Sequence, residues 1–154
     1  MKYNFMLTDI RKHAVAGLHV GDSFSVTRTF TEADTLAFGD VSRDYNPVHY
    51  SDAFVDLKQL KGRICHGLLV GGLITEVGGQ IGWLASGMNF RFQRPVYFGD
   101  TVTCMFTITE VDDRSRAKAE AVLCNQHGDK VIEAWLTGVL PSGAERQVMA
   151  EQAG

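Results

Sequence analysis

The 154-residue chain has little cysteine, no run of like charge, no internal repeat and no apolar stretch long enough to cross a bilayer. Each absence excludes something. Its three cysteines, Cys65, Cys104 and Cys124, are an odd number without a CxxC spacing, which argues against a disulfide framework and against a zinc ribbon. They are expected as buried free thiols in a reducing compartment. Lysine and arginine total 15 against 18 acidic residues, a formal net charge of −3 with no basic stripe, so no nucleic-acid footprint is visible. The start, MKYNFMLTDIRKH, offers only a short apolar stretch before Asp9 and Arg11 and lacks the cleavage pattern of a signal peptide, so a cytoplasmic protein is expected. The longest apolar passage, residues 68–84, falls short of about 20 residues and carries Glu76 and Gln80, which predicts a buried core helix and no membrane span. No linker divides the sequence, so residues 1–154 are expected as one domain with a core over about 20–141.

What the chain does have is a change of hydrophobic period along its length. Phe24, Val26 and Phe30 alternate with Ser25, Thr27 and Thr29 after a Gly21-Asp22 turn, the pattern of a half-buried strand. Thr31 with Asp34 three residues on approximates a capping box, and Ala33, Leu36, Ala37 and Val41 follow at helical spacing. Asn46-Pro47 stops that helix, because proline pushes the residue before it out of the α region. A short second helix is expected through SDAFVDLKQL (51–60), ending at Gly62. Residues 68–84 are apolar on nearly all faces, which predicts a helix surrounded by protein. Gly71, Gly72, Gly78 and Gly79 each cost about 1 kcal/mol against alanine there, which implies close approach of neighbouring backbone. Strands dominate the second half: Met88, Phe90 and Phe92, then Val102 to Ile108, then Ala117 to Leu123, then 130–141, joined by tight turns. The tail SGAERQVMAEQAG is expected to be loosely ordered. The order predicts an α+β fold in which an antiparallel sheet wraps a long central helix, the hot-dog architecture.

Two places could carry chemistry. DYNPVHY (44–50) sets Asp44, Asn46 and His49 on a loop stiffened by Pro47. One reading is local, since Asp and Asn start turns by bonding their side chains to nearby backbone. The other is chemical: two acid–base groups held at fixed separation can share one water. Asn46 would fix the loop or orient His49. His66-Gly67 opens the apolar helix. A first-turn N–H has no intrahelical partner and lies at the positive end of the dipole, and on glycine it can be closely approached. Gly67 could therefore hold a thioester oxyanion with main chain alone. Asp44, His49 and His66 also have the ligand types of a two-histidine, one-carboxylate metal site, though only counting supports one. A Cys65-His66 thiolate pair is weaker still. Glu76, in mid-helix, is expected either buried with a partner or aimed into a cleft.

In combination, SRDYNPVH (42–49), ICHG (64–67) and FQRPVYFGD (92–100) resemble the MaoC-like hot-dog hydratases and dehydratases, including the (R)-specific enoyl-CoA hydratases, over roughly residues 20–141. The resemblance implies syn hydration of a trans-2-enoyl thioester, or the reverse dehydration of a 3-hydroxyacyl thioester. Asp44 and His49 match the acid–base pair on the catalytic water, and Gly67 the amide that holds the thioester carbonyl. Asn46, His66 and Thr75 fall in supporting or substrate-binding places, Thr75 as a helix hydroxyl lining the site. Arg43 departs from the small residue, often glycine, that usually precedes the aspartate. The resemblance implies neither metal nor organic cofactor. Coenzyme A or an acyl carrier protein would enter as part of the substrate. A homodimer or higher homo-oligomer is expected, with sites near the interface. Two alternatives stay open: a hot-dog acyl-CoA thioesterase that activates water through Glu76 or Asp44, and a non-catalytic acyl-thioester binding protein.

Overall fold

The computed structural model describes residues 8–152. The N-terminal stretch read above against a signal peptide lies outside them through residue 7, as do the last two residues of the tail. Among the described residues one antiparallel sheet forms from β1 (Ser23–Thr29), β2 (Leu84–Phe92), β3 (Thr101–Val111), β4 (Arg116–Cys124) and β5 (Lys130–Val139), in the order β1-β3-β4-β5-β2. The helices are α1 (Asp9–Ala16), α2 (Glu32–Ser42), α3 (Asp52–Leu57), α4 (Gly67–Ile81) and α5 (Gly143–Gln152). This is the hot-dog fold, with α4 laid against β1, β2 and β3. Among the described residues no helix is long and apolar enough to cross a membrane.

The alternation read in β3 and β4 is the inner face of the sheet. Val102, Cys104, Phe106 and Ile108 are fully buried, and across the ladder Phe106 faces Ala121 while Ile108 faces Ala119. Pairing large with small leaves a trough that Val70, Leu73, Ile74, Val77 and Ile81 of α4 help to fill. Each such side chain contributes about 1.5–3 kcal/mol when removed from water.

Several expectations need correction. The helix ends at Ile81, where Gly82 turns left-handed (φ 73), so Leu84 already belongs to β2. It is not surrounded by protein either. The sheet covers one side, while Leu68 (60% exposed), Thr75, Glu76 and Gly79 form an open stripe. Gly71 admits the ring of Phe90, whose Cε1 would stand 2.9 Å from an added Cβ, whereas Gly72 and Gly79 face open space. The close approach is thus by a side chain, at one glycine of the four, and not by backbone. In α2 the apolar set Ala33, Leu36, Ala37 and Val41 points outward, and Thr35 and Gly39 point in. The capping box does form: the Thr31 hydroxyl accepts from Asp34 N–H and Asp34 accepts from Thr31 N–H. α3 ends at Leu57, short of the expected boundary.

The tail is ordered as α5. Ser142 and Glu145 cap it reciprocally, Met149 is buried, and Arg146 donates to the Val15 carbonyl at 3.2 Å, tying α5 to α1. Finally, β2 and β3 are not joined by a tight turn. β2 pairs with β5 at one edge, whereas β3 lies beside β1 near the other, so residues 93–100 must cross between them. That crossing strap is held by Cys65 N–H on the Val96 carbonyl at 2.8 Å and a bridge between Ile64 and Tyr97.

Candidate active site

The strap, the N-terminus of α4 and the loop after α2 meet at one end of the central helix. α2 stops at Arg43, whose left-handed backbone (φ 58, ψ 24) lets its N–H reach the Gly39 carbonyl at 2.7 Å and turns the chain back over α4. This is the position where the resemblance expects a small residue, and the positive φ supplies the reason. Asp44 then anchors itself twice. Its N–H donates to Ser42 Oγ at 3.2 Å, and its Oδ1 accepts from Asn46 N–H at 3.1 Å. Asn46 Oδ1 accepts from Val48 N–H at 3.2 Å and caps the 3-10 turn Pro47–His49. Of its two possible tasks Asn46 performs the first, fixing the loop.

The local and the chemical readings of DYNPVHY are therefore compatible. The turn consumes one carboxylate oxygen, and Asp44 Oδ2 remains, 3.8 Å from His49 Nε2 and 4.0 Å from His66 Nε2. His49 is buried, and its Nδ1 lies 2.7 Å from the Ile64 carbonyl oxygen. A carbonyl only accepts, so Nδ1 carries the proton and Nε2 of the neutral ring keeps its lone pair toward Asp44. Burial lowers the pKa of His49 below the ordinary 6.5. The bond to Ile64 opposes this, a charge on His66 adds to it, and the Asp44 charge opposes it.

His66 is buried beneath them. Its Nε2 lies 2.8 Å from the Asp44 carbonyl oxygen, so that nitrogen donates, and its ring stacks on His49 with centroids 3.8 Å apart. Gly67 is the first residue of α4, and its N–H makes no hydrogen bond among the described residues. A Cβ there would stand 2.6 Å from Cε1 of Phe92, so glycine admits both that ring and any ligand atom approaching the amide.

These groups line a cavity of about 740 Å³ whose remaining wall is largely apolar, including Phe38, Leu60, Ile64, Phe92 and Ile132, with Arg94 also present. That is the size and character of a small-molecule site. Thr75 is not part of it. Eight residues past Gly67, about 12 Å along the helix, it donates its hydroxyl to the Gly72 carbonyl at 2.7 Å and lines a separate groove with Arg28 and Glu76. Glu76 is exposed and so not buried with a partner; the cleft it lines is that separate groove and not the main cavity.

Two other readings can now be weighed. Asp44, His49 and His66 do come together, with ligand atoms within 4.8 Å of one another. The His66 Nε2 proton is committed to the Asp44 carbonyl, however, so two lone-pair donors rather than three face a common point. That donor set suits a shared water better than a cation. The Cys65 thiol is pushed up to about 11 by burial, which removes it as a thiolate. Sequence reasoning missed Tyr50, whose ring lies against His66 and whose hydroxyl reaches the Asp44 carbonyl at 3.5 Å, and Gly39, which makes room for it. It also missed the Ile64 carbonyl, which no side-chain pattern announces.

The chain matches the model of the MaoC like domain over residues 19–129. A relative named (R)-specific enoyl-CoA hydratase, from Rhodospirillum rubrum, is 30% identical over 87% of this chain and 96% of its own. A 3-hydroxybutyryl-CoA dehydratase from Methylorubrum extorquens is 26% identical over 97% of this chain and 98% of its own. The solved structure of an R-hydratase from Pseudomonas aeruginosa, in its unliganded form, superposes with a TM-score of 0.76 at 32% identity, covering 83% of this chain and 85% of that one. The family match runs from before β1 into the turn after β4 and so includes the loop of Asp44 and His49, the start of α4 and the strap: the chain belongs to the MaoC-like family.

Proposed function

We propose that the protein is a hydro-lyase that hydrates trans-2-enoyl-CoA to (R)-3-hydroxyacyl-CoA, or runs the reverse dehydration, with Asp44 and His49 sharing the reacting water. The observation that carries this reading is the 3.8 Å between Asp44 Oδ2 and His49 Nε2, two lone-pair atoms facing each other across the wall of an apolar cavity. A water placed about 2.8 Å from each would donate one hydrogen to each and leave its own lone pair free for the substrate.

In hydration the pair takes one proton as the oxygen adds to C3. Negative charge then gathers on the thioester oxygen, which the N–H of Gly67, first residue of α4, would meet at the positive end of that helix. The same proton returns to C2 from the pair. Because both groups stand on one side of the substrate, the addition is syn. One C–O and one C–H bond form, one O–H bond of the water and the C2–C3 π bond break, and no electrons leave the system. Coenzyme A takes part only as the substrate's carrier, and an acyl carrier protein could present the same thioester. The open stripe on α4, together with exposed Leu84, Met88 and Phe92 on the free edge of β2, is the surface we expect a second copy to cover. A thioesterase reading has less support, because Glu76 stands outside the cavity that holds Asp44.

The test is to incubate purified protein with crotonyl-CoA and a longer enoyl-CoA, following loss of the conjugated thioester absorbance and release of free thiol in parallel. Absorbance should fall without thiol release, and Asp44→Asn should lower kcat by about 10²–10⁴. Thiol release, or undiminished hydration by Asp44→Asn, would refute the reading.

A further inference from the structure

His66 is buried more deeply than either member of the proposed pair, at 1% exposure, yet the reaction above gives it no proton to move. With its Nε2–H on the Asp44 carbonyl, its Nδ1 is left without a partner among the described residues. Burying an unmet nitrogen is unfavourable, and an apolar ring would fill the same space without it. The neighbours could hold such a ring, since Phe38 lies 5.0 Å away. What histidine adds over phenylalanine is a donor aimed at one particular carbonyl. That carbonyl belongs to Asp44 itself, between the left-handed Arg43 and the turn closed by Asn46, so the bond sets the direction in which the carboxylate leaves the loop. The second contact is the stack on His49, at 3.8 Å and 28° between planes. One side chain thus touches both partners of the shared water while lying behind them.

Resting on the function proposed above, we infer that His66 is a positioning residue: its Nε2–H clamps the Asp44 backbone, and its ring holds His49 face to face. A consequence for protonation follows from the stack. A charge on His66 opposes a charge on His49, as burial of His49 does. The Asp44 carboxylate from the loop and the Tyr50 phenol after the 3-10 turn lie against the two rings, and the Cys65 thiol before α4 and Arg94 from the strap line the same cavity. Removing the His66 imidazole should therefore raise the pH at which His49 takes up its proton.

Two variants separate the contacts. His66→Phe keeps a ring and loses the donor, whereas His66→Gln can still donate from its amide. On an enoyl-CoA, His66→Phe should lower kcat about 10²-fold with KM little changed, the scale of a catalytic group displaced by an ångström. His66→Gln should recover at least about tenfold of that loss. The acid limb of the kcat/KM profile should move to higher pH in both. Equal kcat losses in the two variants, or an acid limb unmoved in both, would reduce His66 to filling space and overturn the inference. Nitrogen-15 NMR of the wild type provides a readout without turnover or mutation. His66 must show the Nε2–H tautomer, and the Nδ1–H tautomer would overturn the clamp. If the wild type hydrated no enoyl-CoA, the proposed function would fall, and the clamp would still stand or fall on that tautomer.

Discussion

Gly39→Ala tests the packing behind the site most directly. Gly39 lies on the buried face of α2, where an added methyl would overlap the Tyr50 hydroxyl oxygen and stand 3.2 Å from Cζ. Tyr50 has little freedom to yield. Its ring is edge-on to His49 and to His66 at 6.2 and 6.1 Å, lies 5.9 Å from Tyr45, and ends in the hydroxyl contact with the Asp44 carbonyl. Either α2 lifts or the ring rotates, and overpacking of this kind costs about 1–3 kcal/mol. The long 3.5 Å hydrogen bond adds at most about 0.5 kcal/mol to the loss. Replacing glycine inside a helix offsets about 1 kcal/mol. The net expectation is a destabilisation of about 1–2 kcal/mol, or a Tm lower by roughly 2–8 °C at this chain length. Tyr50→Phe removes the atom the methyl meets, so Gly39→Ala should cost almost nothing in that background. Urea unfolding of the four proteins then gives a coupling of about 1–2 kcal/mol between the sites. Strict additivity, or a Gly39→Ala protein as stable as the wild type, would refute the account of how α2 seats on the site.

Two further predictions concern the same loop. Arg43→Gly should raise stability by about 0.5–1 kcal/mol in urea, because the left-handed backbone is strained for arginine by more than glycine loses in chain entropy; a less stable glycine variant would show that Arg43 is not strained. His49, whose pKa burial depresses below 6.5, resists protonation in the folded state while the unfolded chain accepts a proton near that value. Between the depressed value and 6.5 the unfolded state binds more protons, so stability rises with pH across that window and is lost as pH falls through it. Thermal unfolding from pH 8 to 5 should show this slope in the wild type and a weaker one in His49→Gln; equal slopes would contradict it.

Much of the sheet was legible because alternation is a local signal, and Phe106 with Ile108, or Ala119 with Ala121, behave as their spacing predicts. The helices were legible in period and misread in facing. In α2 the residues that choose the inward side, Thr35 and Gly39, carry no hydrophobic signal, and the stripe that does carry one is exposed. α4 reads as enclosed because sequence cannot distinguish a flank open in a single copy from one covered by sheet. The Ser142 and Glu145 spacing was a visible capping signal at α5, outweighed by the small and polar character of the tail. Of the site, Asp44, His49, His66 and Gly67 could be named from their motif and do converge. The Ile64 carbonyl and the strap could not, because strand order is a long-range property and main-chain acceptors leave no mark on composition. Thr75 failed for a metric reason, since two helical turns carry it away from the cavity.

The position of β1 has a consequence for how the molecule is born. Its hydroxyls bond across the ladder, Ser23 to Thr107 at 2.8 Å and Thr29 to Thr101 at 2.7 Å, so partners are separated by 84 and 72 residues of chain. During synthesis at about 5–20 residues per second, β1 must wait roughly 4 to 17 s before β3 exists to receive it. For that interval the edge it will give to β3 is unpaired, and α4, against which it also rests, is itself being made. The alternate positions of β1 are hydroxyl residues, Ser23, Ser25, Thr27 and Thr29, rather than apolar ones. A waiting strand of that composition stays hydrated along one face, so the polar ladder that fastens the finished sheet also protects the nascent chain from pairing with the wrong edge.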